Sequence, residues 1–188
     1  MPAKPRADAL LPTGTVTFLF TDIEGSTRLW EQDAERMRPA LARHDALVRT
    51  AVEGHRGNVV KMIGDGVHAA FADPLDAVGA TLQLQQALAD PEATGGVPLR
   101  VRCGLHLGVV EHRDHDFFGT AVNRAARIMA AAHGGQVIVS QAVVDDCGHA
   151  GRTGGNHICS RQKMPPRRAH LGRDRETAAG DRCAAANK

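Results

Sequence analysis

Long apolar runs are missing from this sequence of 188 residues. Because no eighteen consecutive apolar residues occur, we expect no transmembrane helix. The first residues also lack the apolar core of a signal peptide, so a cytoplasmic protein is the expectation. Aromatic residues make up only 3% of the chain, and tyrosine is absent. The basic segment 151–188 has no aromatic ring on which a base could stack, and we therefore do not expect nucleic-acid binding.

Cysteine is also sparse, and its four copies are scattered along the chain. A cytoplasmic protein needs no disulfide from them. Hydrophobic residues make up 43% of the sequence, which is typical of a globular protein. The length is sufficient for one domain with its own core.

The segment 16–27, with the sequence VTFLFTDIEGST, combines an apolar strand with polar chemistry. The β-prone residues end abruptly at the carboxylate of Asp22, and a turn through Glu24 and Gly25 follows. Ser26 and Thr27 are typical helix N-caps. A strand ending at a carboxylate and followed by a helix start suits a metal-phosphate site. The alternative is that Asp22 merely caps the next turn.

A second carboxylate lies in a predicted hairpin. Two apolar strands, 59–63 and 67–71, flank the sequence Gly64-Asp65-Gly66, which is a strong turn signal. Asp65 could therefore be a turn residue with no further role. If the hairpin tip lies beside Asp22, however, two carboxylates can hold two divalent cations, as nucleotide phosphates require.

The remaining pattern predicts an α+β fold. Amphipathic helices are expected over 34–52, from Asp73-Pro74 onward and over 119–132, with strands over 99–110 and 136–140 and a loop over 111–115. This order indicates a ferredoxin-like split βαβ arrangement, an antiparallel sheet with helices packed on one face. His106 lies opposite the apolar stripe of its strand and is expected to be a packed or surface histidine rather than a ligand.

The third helix presents two polar residues on one face. Asn123 and Arg127 are four residues apart, whereas Val122, Ala125 and neighbouring small residues form the opposite face. The guanidinium of an arginine offers two directed donors that suit a phosphoryl group. The alternative interpretation is an ordinary solvent-exposed face.

Three motifs in order, FTDIEGST, KMIGDGVHAAF and DFFGTAVNRAARI, resemble the catalytic domain of the class III nucleotidyl cyclases, which include adenylyl and guanylyl cyclases. The resemblance covers Thr15 to Asp146. It implies an enzyme that converts ATP to 3′,5′-cyclic AMP and pyrophosphate, with two Mg²⁺ or Mn²⁺ ions per active site. The ribose 3′-hydroxyl would attack the α-phosphorus in line.

The resemblance also assigns roles to individual residues. Asp22 and Asp65 match the metal-binding aspartates, and the backbone carbonyl of Ile23 would be a further ligand. Lys61 and Asp116 match the pair that reads adenine, which favours ATP over GTP. Asn123 would orient the ribose, and Arg127 would stabilise charge on the α-phosphate. A homodimer is implied, with the metal aspartates from one chain and Lys61, Asp116, Asn123 and Arg127 from the other.

The C-terminal segment departs from this family. We therefore divide the chain into a disordered lead-in (1–14), a catalytic domain (15–146) and an atypical basic, disordered tail (147–188). From Gly151 onward, nine Lys/Arg face three Asp/Glu, a net charge of +6, against −4 for the rest. A frameshifted or degenerate end would explain this composition. The alternative function is a catalytically inactive cyclase-like domain that binds nucleotide or a partner. Cys147, His149, His157 and Cys159 form a faint zinc-ligand pattern.

Overall fold

The computed structural model describes residues 11–113 and 116–153. The disorder predicted for residues 1–10 and 154–188 therefore lies outside the described residues, whereas residues 11–14 are described and Gly14 already begins β1. The elements are β1 (Gly14–Ile23), α1 (Ser26–Gln32), α2 (Ala34–Gly54), β2 (Asn58–Ile63), β3 (Gly66–Phe71), α3 (Pro74–Leu88), a 3₁₀ turn (Pro91–Thr94), β4 (Val101–Arg113), β5 (Asp116–Phe118), α4 (Thr120–Ala130), β6 (Val137–Val139) and α5 (Gln141–Thr153).

One sheet organises the fold, with the strand order β2-β3-β1-β4-β5 and with β6 paired to β4. Antiparallel pairing joins the first five strands, whereas β6 runs parallel to β4. The predicted α+β, ferredoxin-like class is confirmed. The sheet is nevertheless mixed rather than purely antiparallel, because β4 leads through β5 and α4 into β6, a crossover that returns the chain in the same direction.

Helices cover both faces of this sheet. Leu19 and Ile23 of β1 pack into the larger core with α2 and α3, whereas Phe18 and Phe20 pack into a smaller core with α4. The expectation of helices on one face is therefore wrong for α4. The physical reason is that β1 alternates apolar residues on both of its sides, so each side needs a cover.

Two helix starts differ in how well they were predicted. Asp73 caps α3, accepting a hydrogen bond of 2.8 Å from the backbone N–H of Leu75, as the Asp-Pro sequence indicated. The cap of α1 is different, since Gly25 takes the N-cap position in a left-handed conformation with φ of 69° and no side chain caps the helix. Ser26 is already the first helical residue, so the predicted Ser26-Thr27 cap is wrong. The tight turn after Asp22 requires a positive φ at position 25, a conformation that glycine adopts more easily than other residues.

Strand residues occupy part of the expected loop over 111–115. β4 continues to Arg113, and β5 pairs with it in antiparallel register from Glu111↔Phe118 to Arg113↔Asp116. Further along, α5 runs to Thr153 and so crosses the proposed domain boundary after Asp146. Within the described residues, no helix combines the length and apolar character needed to cross a membrane.

Candidate active site

The segments that carry Asp22 and Asp65 meet at one end of the sheet. β1 and β3 pair in antiparallel register as far as Thr21↔Val67, and the hydroxyl of Thr21 accepts a hydrogen bond of 3.2 Å from the backbone N–H of Val67. One further step of this register places Asp22 opposite Gly66, the residue next to Asp65. The strand end and the hairpin tip, which the sequence predicted separately, are therefore neighbours.

Asp65 carries an unsatisfied acceptor. Its Oδ2 atom is buried and has no hydrogen-bond partner in the part of the chain that the structure describes. A buried carboxylate oxygen without a donor is costly unless a cation or water satisfies it. A hard divalent cation with oxygen ligands therefore fits this position. The described residues contain no cluster of three or more His, Cys, Asp or Glu, so such a cation would depend on the two aspartates and on backbone oxygen.

Asp22 has a partner that the sequence did not suggest. Its Oδ2 atom accepts a hydrogen bond of 2.8 Å from Nε of Arg102, and a terminal guanidinium nitrogen of the same arginine lies 2.6 Å from that oxygen. Arg102 is the cross-strand partner of Asp22 on β4. The side chains of Asp22 and Arg102 remain 26% and 32% exposed, so the ion pair is open to solvent.

The residues after Asp22 are also held, through Arg100 just before β4 and through Gly134 after α4. The backbone N–H of Glu24 donates to the carbonyl of Arg100 at 2.9 Å, and its side chain accepts a bond of 2.9 Å from the N–H of Gly134. Arg100 lies 3.4 Å from the same carboxylate and donates to the carbonyl of Gly134 at 2.8 Å. The hydrogen bond from Gly134, aided by the charge of Arg100, holds the pKa of Glu24 below its ordinary value.

Lys61 lies on the α4 side of the sheet. It is exposed on β2 opposite His68 of β3, and His68 is buried and stacked on Phe20 with ring centroids 4.4 Å apart. Directly paired residues share a face. Asp116 begins β5, but its side chain lies outside what the structure describes. The predicted pairing of Lys61 with Asp116 around adenine therefore stays a prediction.

Asn123 and Arg127 lie on the outer side of α4. Ala121 and Ala125 of the same helix are buried against the sheet, whereas Asn123 and Arg127 are exposed. Among the described residues, neither forms a hydrogen bond or ion pair with the two aspartates. Within one chain, the end of β1 that carries Asp22 thus lies beside the hairpin tip that carries Asp65, whereas the α4 residues contact neither aspartate among the described residues.

One other candidate ligand, His106, follows the simpler interpretation. His106 is 7% exposed, and its Nδ1 lies 2.9 Å from the hydroxyl of Ser140, so the expectation of a packed histidine is confirmed. Burial, and then the charge of Arg124, lowers its pKa. Neither Cys103 nor Cys147 forms a disulfide within the described residues. His157 and Cys159 lie outside the described residues, so the zinc pattern stays untested.

The comparison with known proteins agrees with this geometry. The family model of the adenylate and guanylate cyclase catalytic domain matches residues 10–165. The chain belongs to this cyclase family. The class III resemblance is therefore confirmed, and the chain contains a cyclase catalytic domain.

Proteins from bacteria and from trypanosomes are among the relatives of this cyclase domain. An uncharacterised protein of Mycobacterium tuberculosis is 43% identical over 138 residues, covering 72% of this chain and 46% of that protein. A receptor-type adenylate cyclase of Trypanosoma brucei brucei is 31% identical over 173 residues, covering 70% of this chain and 14% of that protein. The structure of a Trypanosoma brucei adenylate cyclase in its monomeric state is similar, with a TM-score of 0.64 and 28% identity over 74% of this chain and 79% of that one. The chain thus spans less than half the length of these two sequence relatives.

Proposed function

We propose that this cyclase domain is an adenylyl cyclase, converting ATP to 3′,5′-cyclic AMP and pyrophosphate. The observation that carries the proposal is the buried Oδ2 of Asp65, which has no partner among the described residues and belongs to the hairpin tip beside the strand end that carries Asp22. Similarity to adenylate cyclases of Trypanosoma brucei supports the choice of nucleotide.

Asp22, Asp65 and the backbone carbonyl of Ile23 would hold two divalent cations, Mg²⁺ or Mn²⁺. Bound there, the cations would lower the pKa of the ribose 3′-hydroxyl and neutralise the triphosphate. The protein's own task is then to place the hydroxyl in line with the α-phosphorus. The rigid end of β1 serves this task, because Asp22 belongs to a strand that is paired on both sides.

Four further residues would recognise the substrate. Lys61 would donate to a ring nitrogen of adenine, and Asp116 would accept from the exocyclic amino group. Asn123 would orient the ribose. Arg127 would stabilise the charge that develops on the α-phosphate in the transition state, where a planar guanidinium offers two directed donors.

The complete site would require a second copy of the chain. Asn123 and Arg127 are exposed on the outer side of α4 and do not contact the aspartates of their own chain within the described residues. In a head-to-tail homodimer, α4 of one chain would face the aspartates of the other. Such a dimer would contain two equivalent sites, whereas a monomer would contain none.

Product analysis tests this function directly. The full chain is incubated with ATP or with GTP in the presence of Mn²⁺, and cyclic nucleotides are measured by mass spectrometry, with Asp65→Asn as the inactive control. We expect cyclic AMP from the wild type and much less cyclic GMP. If nucleotide binds but neither product forms, the chain is an inactive cyclase-like domain and the proposal is wrong.

A substitution pair tests base recognition separately. Lys61→Glu with Asp116→Cys inverts the donor and acceptor pattern offered to the base, so ATP turnover should fall relative to GTP turnover. Unchanged ATP turnover in this double variant would show that the pair does not read the base, without affecting the metal assignment.

A further inference from the structure

We propose that Glu24 is a positioning residue that orients the backbone carbonyl of Ile23 for a divalent cation, an inference that rests on the proposed function. Glu24 directly follows Ile23 and lies two residues after Asp22. It would touch neither the nucleotide nor the cation. Its effect on the site would pass through the turn that carries Asp22 and Ile23.

Glu24 belongs to a closed set of contacts with Arg100 and Gly134, which we call the Glu24 clamp. Its Oε1 atom accepts a hydrogen bond of 2.9 Å from the backbone N–H of Gly134. One terminal guanidinium nitrogen of Arg100 lies 3.4 Å from Oε2 of Glu24, and the other donates to the carbonyl of Gly134 at 2.8 Å. The clamp therefore fastens the turn after β1 both to the residue just before β4 and to the connection between α4 and β6.

The clamp requires a glycine at position 134. A Cβ atom there would come within 2.5 Å of Oε2 of Glu24 and within 2.7 Å of Cβ of Arg100. Gly135 has a positive φ of 78°, but Gly134 does not, so the backbone conformation does not call for glycine at position 134. The missing side chain is instead what allows the carboxylate of Glu24 to reach the N–H of Gly134.

The clamp sets the direction of the Ile23 carbonyl. The backbone N–H of Glu24 donates to the carbonyl of Arg100 at 2.9 Å, on the β4 side of β1. Because the C=O and N–H of a trans peptide point in opposite directions, the carbonyl of Ile23 points toward the β3 side. On that side the pairing with β3 stops short of Ile23, next to the hairpin tip that carries Asp65. The carbonyl is thus directed to the side of β1 where Oδ2 of Asp65 has no partner among the described residues.

The first test measures Mn²⁺ binding without nucleotide, by the loss of the free-ion electron paramagnetic resonance signal. Glu24→Ala removes both contacts of the carboxylate and should weaken Mn²⁺ binding by roughly tenfold, as the loss of an outer partner of a metal ligand typically does. Glu24→Gln keeps an oxygen for the N–H of Gly134 but loses the charge beside Arg100, so it should recover part of the affinity. Glu35→Ala is the matched control, because Glu35 also pairs with an arginine, Arg38, at 3.2 Å, but is exposed on α2. It should bind Mn²⁺ as the wild type does.

Gly134→Ala tests the clamp from its other side. The added methyl group separates Glu24 from its partners without changing Glu24, so it should weaken Mn²⁺ binding as Glu24→Ala does. Gly148→Ala, where a Cβ meets no atom within 4 Å, is the control. Hydrogen exchange measured by mass spectrometry adds a result that needs no cation, since peptides covering the turn after β1 should exchange faster in both clamp variants. Thermal unfolding shows whether lost binding reflects lost folding, and if Glu24→Ala does not fold, Glu24→Gln decides.

Kinetics in mixed dimers separates positioning from a general loss of structure. In a dimer of an Asp22→Ala chain with an Arg127→Ala chain, the intact site would take its aspartates from the Arg127→Ala chain. Glu24→Ala added to that chain should raise the KM for Mn²⁺ with a smaller change in kcat, because a high concentration of the cation restores binding. The same substitution in the Asp22→Ala chain should leave this KM unchanged. Equal effects from the two chains would contradict the positioning role.

The outcomes separate this inference from the proposed function. Unchanged Mn²⁺ binding in a folded Glu24→Ala variant, or an equal loss in Glu35→Ala, would overturn the positioning role even if the wild type forms cyclic AMP. If Glu24→Ala weakens Mn²⁺ binding and the wild type forms no cyclic nucleotide, the positioning role stands and the proposed enzyme fails. If Asp65→Asn binds Mn²⁺ as the wild type does, or if neither binds it, there is no cation site there and both are wrong.

Discussion

Gly104 of β4 lies so close beneath α4 that a Cβ atom on it would come within 2.6 Å of the Cα of Met129. Gly108 repeats the relationship, since its Cβ would meet the Cβ of Ala121 at 2.7 Å. Both glycines lie on the face of β4 that α4 covers. The absence of two side chains therefore sets the distance between α4 and the sheet, and with it the position of Asn123 and Arg127.

Gly104→Ala should displace α4, because the obstructing atoms belong to backbone that cannot rotate away. We expect a loss of about 1–3 kcal/mol in the free energy of unfolding, measured in urea. Cyclase activity should fall by more than the fraction of unfolded protein accounts for, because Arg127 would move with α4. Gly148→Ala in α5 is the matched control, because a Cβ there meets no atom within 4 Å. Equal stability of both variants would contradict the close-packing explanation.

Asp65→Asn should abolish cyclic AMP formation while leaving the melting temperature unchanged or raised. The substitution removes the charge of a carboxylate whose Oδ2 atom is buried and has no partner among the described residues. Asp22→Asn should abolish activity too, but at a cost of at most about 1 kcal/mol in stability, because Arg102 loses a partly exposed ion pair. Product analysis and thermal unfolding check both variants. Full activity in either one would refute the metal assignment.

Two inactive variants should rescue each other if the site is shared between chains. In a mixed dimer of Asp22→Ala and Arg127→Ala, one site carries both defects and the other is intact. Random exchange makes about half of the dimers mixed, so activity should return to roughly a quarter of the wild-type value. Each variant assayed alone, at the same total protein concentration, is the control. Lack of rescue, although mass spectrometry shows mixed dimers, would exclude the shared site.

Acid should destabilise the protein through His106. Burial and Arg124 lower the pKa of this histidine below its ordinary 6.5, so the unfolded chain takes up the proton before the folded one does. The free energy of unfolding should therefore fall as the pH decreases below about 6.5. The measurement is urea unfolding between pH 7.5 and 5.5. His106→Gln should flatten this dependence, and an unchanged slope would show that other groups carry it.

Local signals were sufficient for the elements that bear the two carboxylates. The apolar run before Asp22 and the Gly64-Asp65-Gly66 turn gave the correct strand and hairpin, because turn chemistry and alternation act over a few residues. The capping signal failed at Ser26, where the conformation of Gly25 took precedence over side-chain capping. The small apolar face of α4 was also identified correctly, but the side of the sheet on which it packs was not.

The sequence by itself determined which chemical groups this cyclase domain possesses and which short segments carry them. Tertiary structure alone decided which groups meet. Asp22 and Arg102 are 80 positions apart, and only the register between β1 and β4 makes them partners. The hairpin tip that carries Asp65 lies beside the end of β1 in the same way, through the pairing of β1 with β3. Register depends on the packing of whole faces, and a shift of one residue would turn every one of these side chains to the other side of the sheet.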